Sequence, residues 1–255
     1  MGLGYQVSNM QLPKHDGIRI VTPSRMRHEV ISKRTFGLFP SAIVCVEDTE
    51  YDDYAKYVPE KQILPHPKFG GYGEIYNWIL ETVPDEVIFI PDDDIVCGWS
   101  YVGRRTVKYT DPKDALQIVI NSANIAKTIG ARQWGYGASP NPISYSPFNS
   151  LDFVGVCCGA SGVIGKNLGH DTKITLVGDA DFSLQQLIKN RIVYIDLRYH
   201  FATVQFMTQA GGNTAYRSEE RLKKEHDFLK RKWGKYIGEG TIGVTKVQNV
   251  KRRQS

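Results

Sequence analysis

The densest group of reactive side chains in this sequence is Asp92-Asp93-Asp94. These three consecutive carboxylates follow the apolar run Val87-Ile88-Phe89-Ile90 and Pro91, and they precede Ile95-Val96. Adjacent acids repel one another, and placing them beside buried strand residues costs stability unless a cation offsets the repulsion. A hard divalent ion, Mg2+ or Mn2+, takes oxygen ligands of this kind and completes its shell with substrate phosphates and water. Such an ion can bridge a diphosphate and stabilise its charge as it leaves. An acidic surface turn has the same composition, but here apolar residues abut the acids on both sides.

Other groups carry weaker versions of the same chemistry. Thr22-Pro23-Ser24-Arg25-Met26-Arg27 sets hydroxyls and two guanidiniums after an apolar run. Arginine forks match phosphate oxygens, although a solvated basic loop reads the same way. Glu47-Asp48 ends a second run and could meet ribose or base donors, or simply face water. Gly178-Asp179-Ala180-Asp181 leads into an apolar helix; either aspartate could draw the proton from an acceptor hydroxyl within hydrogen-bond reach. Both also suit the N-terminus of a helix, as cap and as dipole partner. His200 could add an imidazole ligand to a metal, or be structural. Gly211-Gly212-Asn213 could form a loop closing over a site, or a plain turn, and Trp99, Trp134, Tyr136 and Tyr145 could stack on an acceptor or serve the core.

The elements that must position these groups alternate between strand and helix. Residues 18–22, 42–46 and 87–90 read as strands, the last buried on both faces because it is wholly apolar. Helices are expected over Glu29–Phe36, Tyr72–Val83 and from Asp111, with Pro112 at the first helical position, to Gly130. Short strand-like pieces at 152–158 and 161–165 flank Gly159, a helix follows Asp179, and 192–195 is a further strand. A final amphipathic helix, Ser218 to Trp233, turns Leu222, Leu229 and Trp233 inward. This alternation predicts an α/β fold whose mostly parallel sheet binds ligands beyond the carboxyl ends of its strands. The organisation expected is a lead-in (1–16), a catalytic body (17–216) and a basic helix and tail (217–255).

The chain has 255 residues, 41% hydrophobic and 23% charged. A chain of this length can bury roughly 70% of its unfolded surface without a disulfide or zinc staple. No run nears a membrane span, and no secretory signal or myristoylation pattern is visible. Cys45, Cys97, Cys157 and Cys158 lack zinc spacing, which suits inert thiols in a soluble protein of a reducing cytoplasm. Residues 217–255 hold 12 of the 32 Lys and Arg but 5 of the 27 Asp and Glu, so the net +5 divides into a body near −2 and an end near +7. Such an end can neutralise phosphates without reading sequence, or be only a solvated helix face. Its basic residues include Lys223, Lys224, Lys230, Arg231 and Lys232, then Lys251-Arg252-Arg253, interrupted by Glu225 and Asp227.

This order of groups resembles the GT-A glycosyltransferases, whose DxD motif binds a nucleotide-sugar diphosphate through Mn2+ or Mg2+. More narrowly, IRIVTPSRMR, VIFIPDDDIVCGW and GDADFSLQQL resemble the TET-associated glycosyltransferases of bacteriophages, implicated in adding sugars to hydroxylated pyrimidines in DNA. The resemblance spans roughly 18–205 and implies a three-layer GT-A-like fold. It implies Asp94 and then Asp92 as metal ligands, with His200 as a later one, and Asp93 against the ribose or sugar. Thr22, Ser24, Arg25, Arg27, Asp48, Asn77 and Asp92 would lie along the nucleotide, most simply UDP. Asp179 matches the position of the base in inverting members, with Gly178 replacing the usual preceding acid and Asp181 as the second candidate. DNA, bound through the basic end, is the implied partner; no membrane is. A protein, lipid or saccharide acceptor would use the same donor site. A sugar-nucleotide-forming nucleotidyltransferase would want a glycine in Thr22–Arg27, which has none. A non-catalytic nucleic-acid-binding module would explain the basic end but leave the acid triplet without a purpose.

Overall fold

The computed structural model describes residues 14–102, 105–137, 159–203 and 217–238, and the backbone of a short strand at 246–247. Strands β1 (Ile18–Pro23), β2 (Ile43–Glu47), β3 (Ile63–His66) and β4 (Val87–Pro91) pair in parallel in the order β3-β2-β1-β4. Helices α1 (His28–Lys33), α2 (Thr35–Leu38), α3 (Tyr51–Ala55) and α4 (Tyr72–Thr82) connect them. An antiparallel excursion follows, β5 (Ile95–Val102) and β6 (Arg105–Tyr109), then α5 (Pro112–Thr128) and β7 (Gln133–Tyr136). After β8 (Ala160–Ile164) come α6 (Gly178–Asn190), β9 (Tyr194–Asp196), β10 (Tyr199–Thr203), α7 (Glu219–Trp233) and a small ladder of β11 (Ile237–Gly238) with β12 (Lys246–Val247).

The central sheet has seven strands ordered β3-β2-β1-β4-β8-β7-β9. Only β8 runs against its neighbours, β4 and β7. A second sheet, β10-β5-β6, grows directly out of the turn that ends β4. All five residues of β4 are buried because both of its faces are covered. Phe89 faces Phe39, Phe201 and the α5 side, while Ile88 and Ile90 face Tyr76, Ile79 and Phe182 on α4 and α6. Each such side chain removed from water contributes on the order of 1.5–3 kcal/mol. In β8, Gly162 lies flat against Trp134; a Cβ there would come within 2.0 Å of the indole.

The structure departs from the sequence expectations at definite places. The helix expected over Glu29–Phe36 is two short helices broken at Arg34 (φ −124°, ψ −94°), and Pro23 and Pro91 close their strands from inside. Strands β3, β5, β6, β7, β10, β11 and β12 go beyond the sequence expectations; the expected strand at 152–158 lies outside the described residues. Asp111 caps α5 as expected, accepting from the Lys113 N–H at 2.8 Å. The C-terminal helix packs on the body: Leu229 is fully buried with Ile174, Val177, Leu184 and Leu187, and Leu222 and Trp233 close over them. Cys45 and Cys97 are buried free thiols, and burial pushes the Cys45 thiol far up. Among the described residues, no helix is long and apolar enough to cross a membrane.

Candidate active site

The acid triplet sits where β4 leaves the sheet, and three separate contacts shape its backbone. The Asp92 N–H donates to the Gly159 carbonyl at 2.7 Å. The buried Thr35 hydroxyl donates to the Asp92 carbonyl (2.7 Å) and accepts from the Ile95 N–H (3.0 Å), so it spans the turn. Gly159 has φ +78°, and a Cβ there would meet Thr203 at 2.5 Å, with the Asp92 carboxylate close by. Glycine suits this place both by conformation and by space.

The three acids have different surroundings. Asp93 is buried and anchored: Ser24 Oγ donates to it at 2.6 Å and Arg27 at 2.8 Å. Tyr54 braces the same network, its hydroxyl 2.7 Å from Ser24 Oγ and accepting from the Arg27 N–H. Asp94 lies 3.6 Å from Arg27. No hydrogen bond from a described residue reaches the Asp92 carboxylate. Burial, then the charges of Asp94 and Asp93, push Asp92 up to about 7, with Arg27 opposing. Burial and the charge of Asp93 push Asp94 up to about 6. Two carboxyls reluctant to ionise alone, one without a hydrogen-bond donor among the described residues, form an oxygen set that a hard cation would relieve.

Asp179, at the second position of α6, adds a weak charge effect on Asp92, which places the two within electrostatic reach of one another. Its carboxylate is open to solvent, yet the surrounding protein desolvates it enough to raise its pKa. Two neighbours that the sequence did not suggest lie within electrostatic reach of both acids. Tyr72 begins α4 with its ring 4.3 Å from that of Tyr76. Burial, then Tyr76 and Asp92, hold its phenol protonated. Arg217, just before α7, has its pKa lowered by burial against the pull of Asp179 and Asp92. A carboxylate base, a neutral phenol, a cation and two metal-type acids together can receive a proton and hold an anion.

A family model described as TET-Associated Glycosyltransferase matches residues 18–212. The chain belongs to the TET-associated glycosyltransferase family. No curated protein matches the sequence. In fold, this glycosyltransferase is similar to S. aureus TarS 1–349 in complex with UDP-GlcNAc, at 11% identity and TM-score 0.53, with 84% of this chain covering 66% of that one. It is also similar to mannosyltransferase PcManGT from Pyrobaculum calidifontis in complex with GDP-Man and Mn2+, at 12% identity and TM-score 0.52, with 88% covering 65%. The chain thus spans about two thirds of each of these two chains. The fold expected of a GT-A enzyme is the fold found. Family membership also overturns the non-catalytic module as a reading of the chain.

Several residues expected to serve this TET-associated glycosyltransferase are engaged elsewhere. Thr22 is fully buried between β2 and β4, and its hydroxyl has no hydrogen-bond partner among the described residues. Asn77 ties α4 to the chain at His170, accepting from its N–H (2.7 Å) and donating to its carbonyl (3.0 Å). Asp93 and Ser24 bind each other across the sheet, which leaves Asp93 an anchor rather than a ribose ligand. Arg27 holds Asp93 and Asp94, Arg25 lies near Glu50, and Asp48 is an exposed acid at the end of β2. His200 Nδ1 pairs with the Gly137 carbonyl at 2.7 Å, and burial lowers its pKa. No described contact joins it to Asp92 or Asp94, and among the described residues no three His, Cys, Asp or Glu side chains form a ready metal cluster. Trp134 and Tyr136 are core residues, Trp99 is half-buried opposite His200, and Tyr145 and Gly211–Asn213 lie outside the described residues.

Asp181 is held inside the protein by other partners. It is fully buried, and its carboxylate accepts from Trp233 Nε1 (2.6 Å), Lys232 and Gln185. Asp181→Ala is expected to remove about 1–3 kcal/mol of stability by leaving Trp233 Nε1 without its acceptor, while Lys232 keeps Asp171 as a partner. The melting temperature checks this; kcat measured on the folded fraction should fall far less than in an Asp179 variant. Lys232 is thereby withdrawn from the basic face of α7, and Lys224 pairs with Glu220 at 2.7 Å.

Proposed function

We propose that this glycosyltransferase moves a sugar from a nucleotide diphospho-sugar, most simply a UDP-sugar, to the hydroxymethyl of a modified pyrimidine in bacteriophage DNA. The observation that carries the reading is the acid triplet at the end of β4, with Asp92 within electrostatic reach of Asp179, inside the family's matched residues. The ligands of the two similar structures, UDP-GlcNAc and GDP-Man with Mn2+, support the donor class.

Asp92 and Asp94 would hold Mn2+ or Mg2+, and their oxygen donors and raised pKa values fit such an ion. When bound, the ion supplies positive charge to the diphosphate. The chain's own residues do the rest. Asp179 accepts the proton of the acceptor hydroxyl, a poor nucleophile while it keeps that proton. Arg27 and Arg217 add positive charge on either side of the acids. A base within a duplex must leave the stack to reach Asp179. The net +7 of residues 217–255 supports a polyanionic acceptor.

The test incubates the protein with Mn2+, a panel of nucleotide sugars, and DNA with or without 5-hydroxymethylcytosine, and then weighs the nucleosides. Sugar addition confined to hydroxymethylated DNA is the expected result. Transfer to a protein, lipid or saccharide with modified DNA untouched would remove the DNA acceptor and keep the donor site. No binding of any nucleotide sugar in the presence of metal would overturn both.

A further inference from the structure

Asp179 lies two residues beyond Val177, the N-cap of α6, which has no capping side chain of its own. The backbone ahead of α6 is held instead from α7. Glu225 is buried, and its carboxylate accepts from three consecutive N–H groups, Thr175 (3.1 Å), Leu176 (2.7 Å) and Val177 (3.3 Å). Arg221 closes the clamp, donating to Glu225 at 3.1 Å and to the Thr175 hydroxyl at 2.7 Å. Thr175 in turn is the nearest neighbour of Gly71, the N-cap of α4, next to Tyr72. Ser218 caps α7 by accepting from the Arg221 N–H at 3.1 Å, which fixes Arg217 just ahead of it. The starts of α4, α6 and α7 therefore meet at one turn, and each delivers a group to the site: Tyr72, Asp179 and Arg217.

We infer that the first two turns of α7 are a working part of the active site, with Glu225 the positioning residue that sets Asp179 through the 175–177 turn. The inference rests on the proposed role of Asp179 and adds a helix lying beyond the family's matched residues. A carboxylate taking three backbone donors is a rigid mount, because those N–H groups would otherwise be satisfied only by mobile water. A reacting group displaced by about 1 Å can lose on the order of a hundredfold in rate with little change in ground-state binding. Glu225→Gln keeps the shape but points an amide N–H2 at donors. Asp227→Asn, the same change of charge at an exposed place on α7, is the control.

The experiment measures kcat and donor KM with the donor and acceptor that wild type uses, and hydrogen exchange over residues 174–180, for wild type and both variants. Expected for Glu225→Gln is a loss of about tenfold or more in kcat, a donor KM within about twofold, and faster exchange at 175–177 while α5 amides keep their protection. Asp227→Asn should match wild type. If Glu225→Gln does not fold, Arg221→Met carries the test, with the same split at about threefold or more in kcat. A loosened turn with unchanged kcat, or unchanged exchange at 175–177, would overturn the inference. Wild type inactive on every donor would overturn it together with the proposed function, and that outcome is read from wild type alone.

Discussion

Asp92→Asn and Asp94→Asn are each expected to lower transfer by about a hundredfold or more and to raise the melting temperature of the ligand-free protein. Both effects come from the same repulsion. The folded chain holds Asp92 at about 7 and Asp94 at about 6, above the ordinary value near 3.9 for an unfolded aspartate. A carboxyl whose folded pKa is raised gives stability that is full below the unfolded pKa and is lost as pH rises through the folded one. Ligand-free wild type should therefore lose stability between about pH 4 and pH 7, and Asp92→Asn should flatten that decline. A melting temperature moves by ~2–4 °C per kcal/mol in a chain of this size. Mn2+ at pH 7.5 should restore stability to wild type and not to a variant carrying both Asp92→Asn and Asp94→Asn. Scanning calorimetry across pH, with and without Mn2+, together with a transfer assay, decides the matter. A single variant that keeps most of its transfer, or a wild type equally stable at both ends of the range, would refute this account.

Asp179→Asn should remove transfer and leave donor binding intact. A positioned general base contributes about 10²–10⁴-fold, and no other described acid is placed to replace it. Asp92 shares the site but belongs to the donor side, and Asp181 is enclosed by Trp233 and Lys232. The expected result is a loss of kcat by about two to four orders of magnitude, with donor Kd from calorimetry within about twofold. A kcat within tenfold of wild type would remove Asp179 from the role.

The triplet was legible because an unbroken apolar run can only be a strand covered on both faces, and the turn that ends it must then be special. The division of labour within it was not legible. Which acid is anchored depends on Ser24, Arg27 and Tyr54, brought to Asp93 from strands and helices far along the sequence. The contrast between Asp179 and Asp181 was partly readable. Residues two apart on a helix point about 200° from one another, so one had to leave the site. That it would leave toward α7 needed the fold. Strands β5 and β6 escaped because β6 is mostly exposed and carries Arg105 and Lys108, which gives neither apolar alternation nor a continuous run. The place of Asn77 was not readable either: a polar side chain beside a site is as easily used to hold the chain together, as Asn77 does at His170, as to hold a ligand.

The placing of β8 has a consequence for synthesis. Strands β3, β2, β1 and β4 can pair as soon as residue 91 has emerged, but the partner on the far side of β4 begins only at Ala160. Until then Val87-Ile88-Phe89-Ile90 is the open margin of a half-built sheet, an apolar strand with a free row of backbone groups that a neighbouring nascent chain could extend. Asp92-Asp93-Asp94 stand at the end of that margin. Three adjacent acids at that position are of the kind that opposes edge-to-edge association. The repulsion that burdens the finished site thus guards the strand while it waits for its partner.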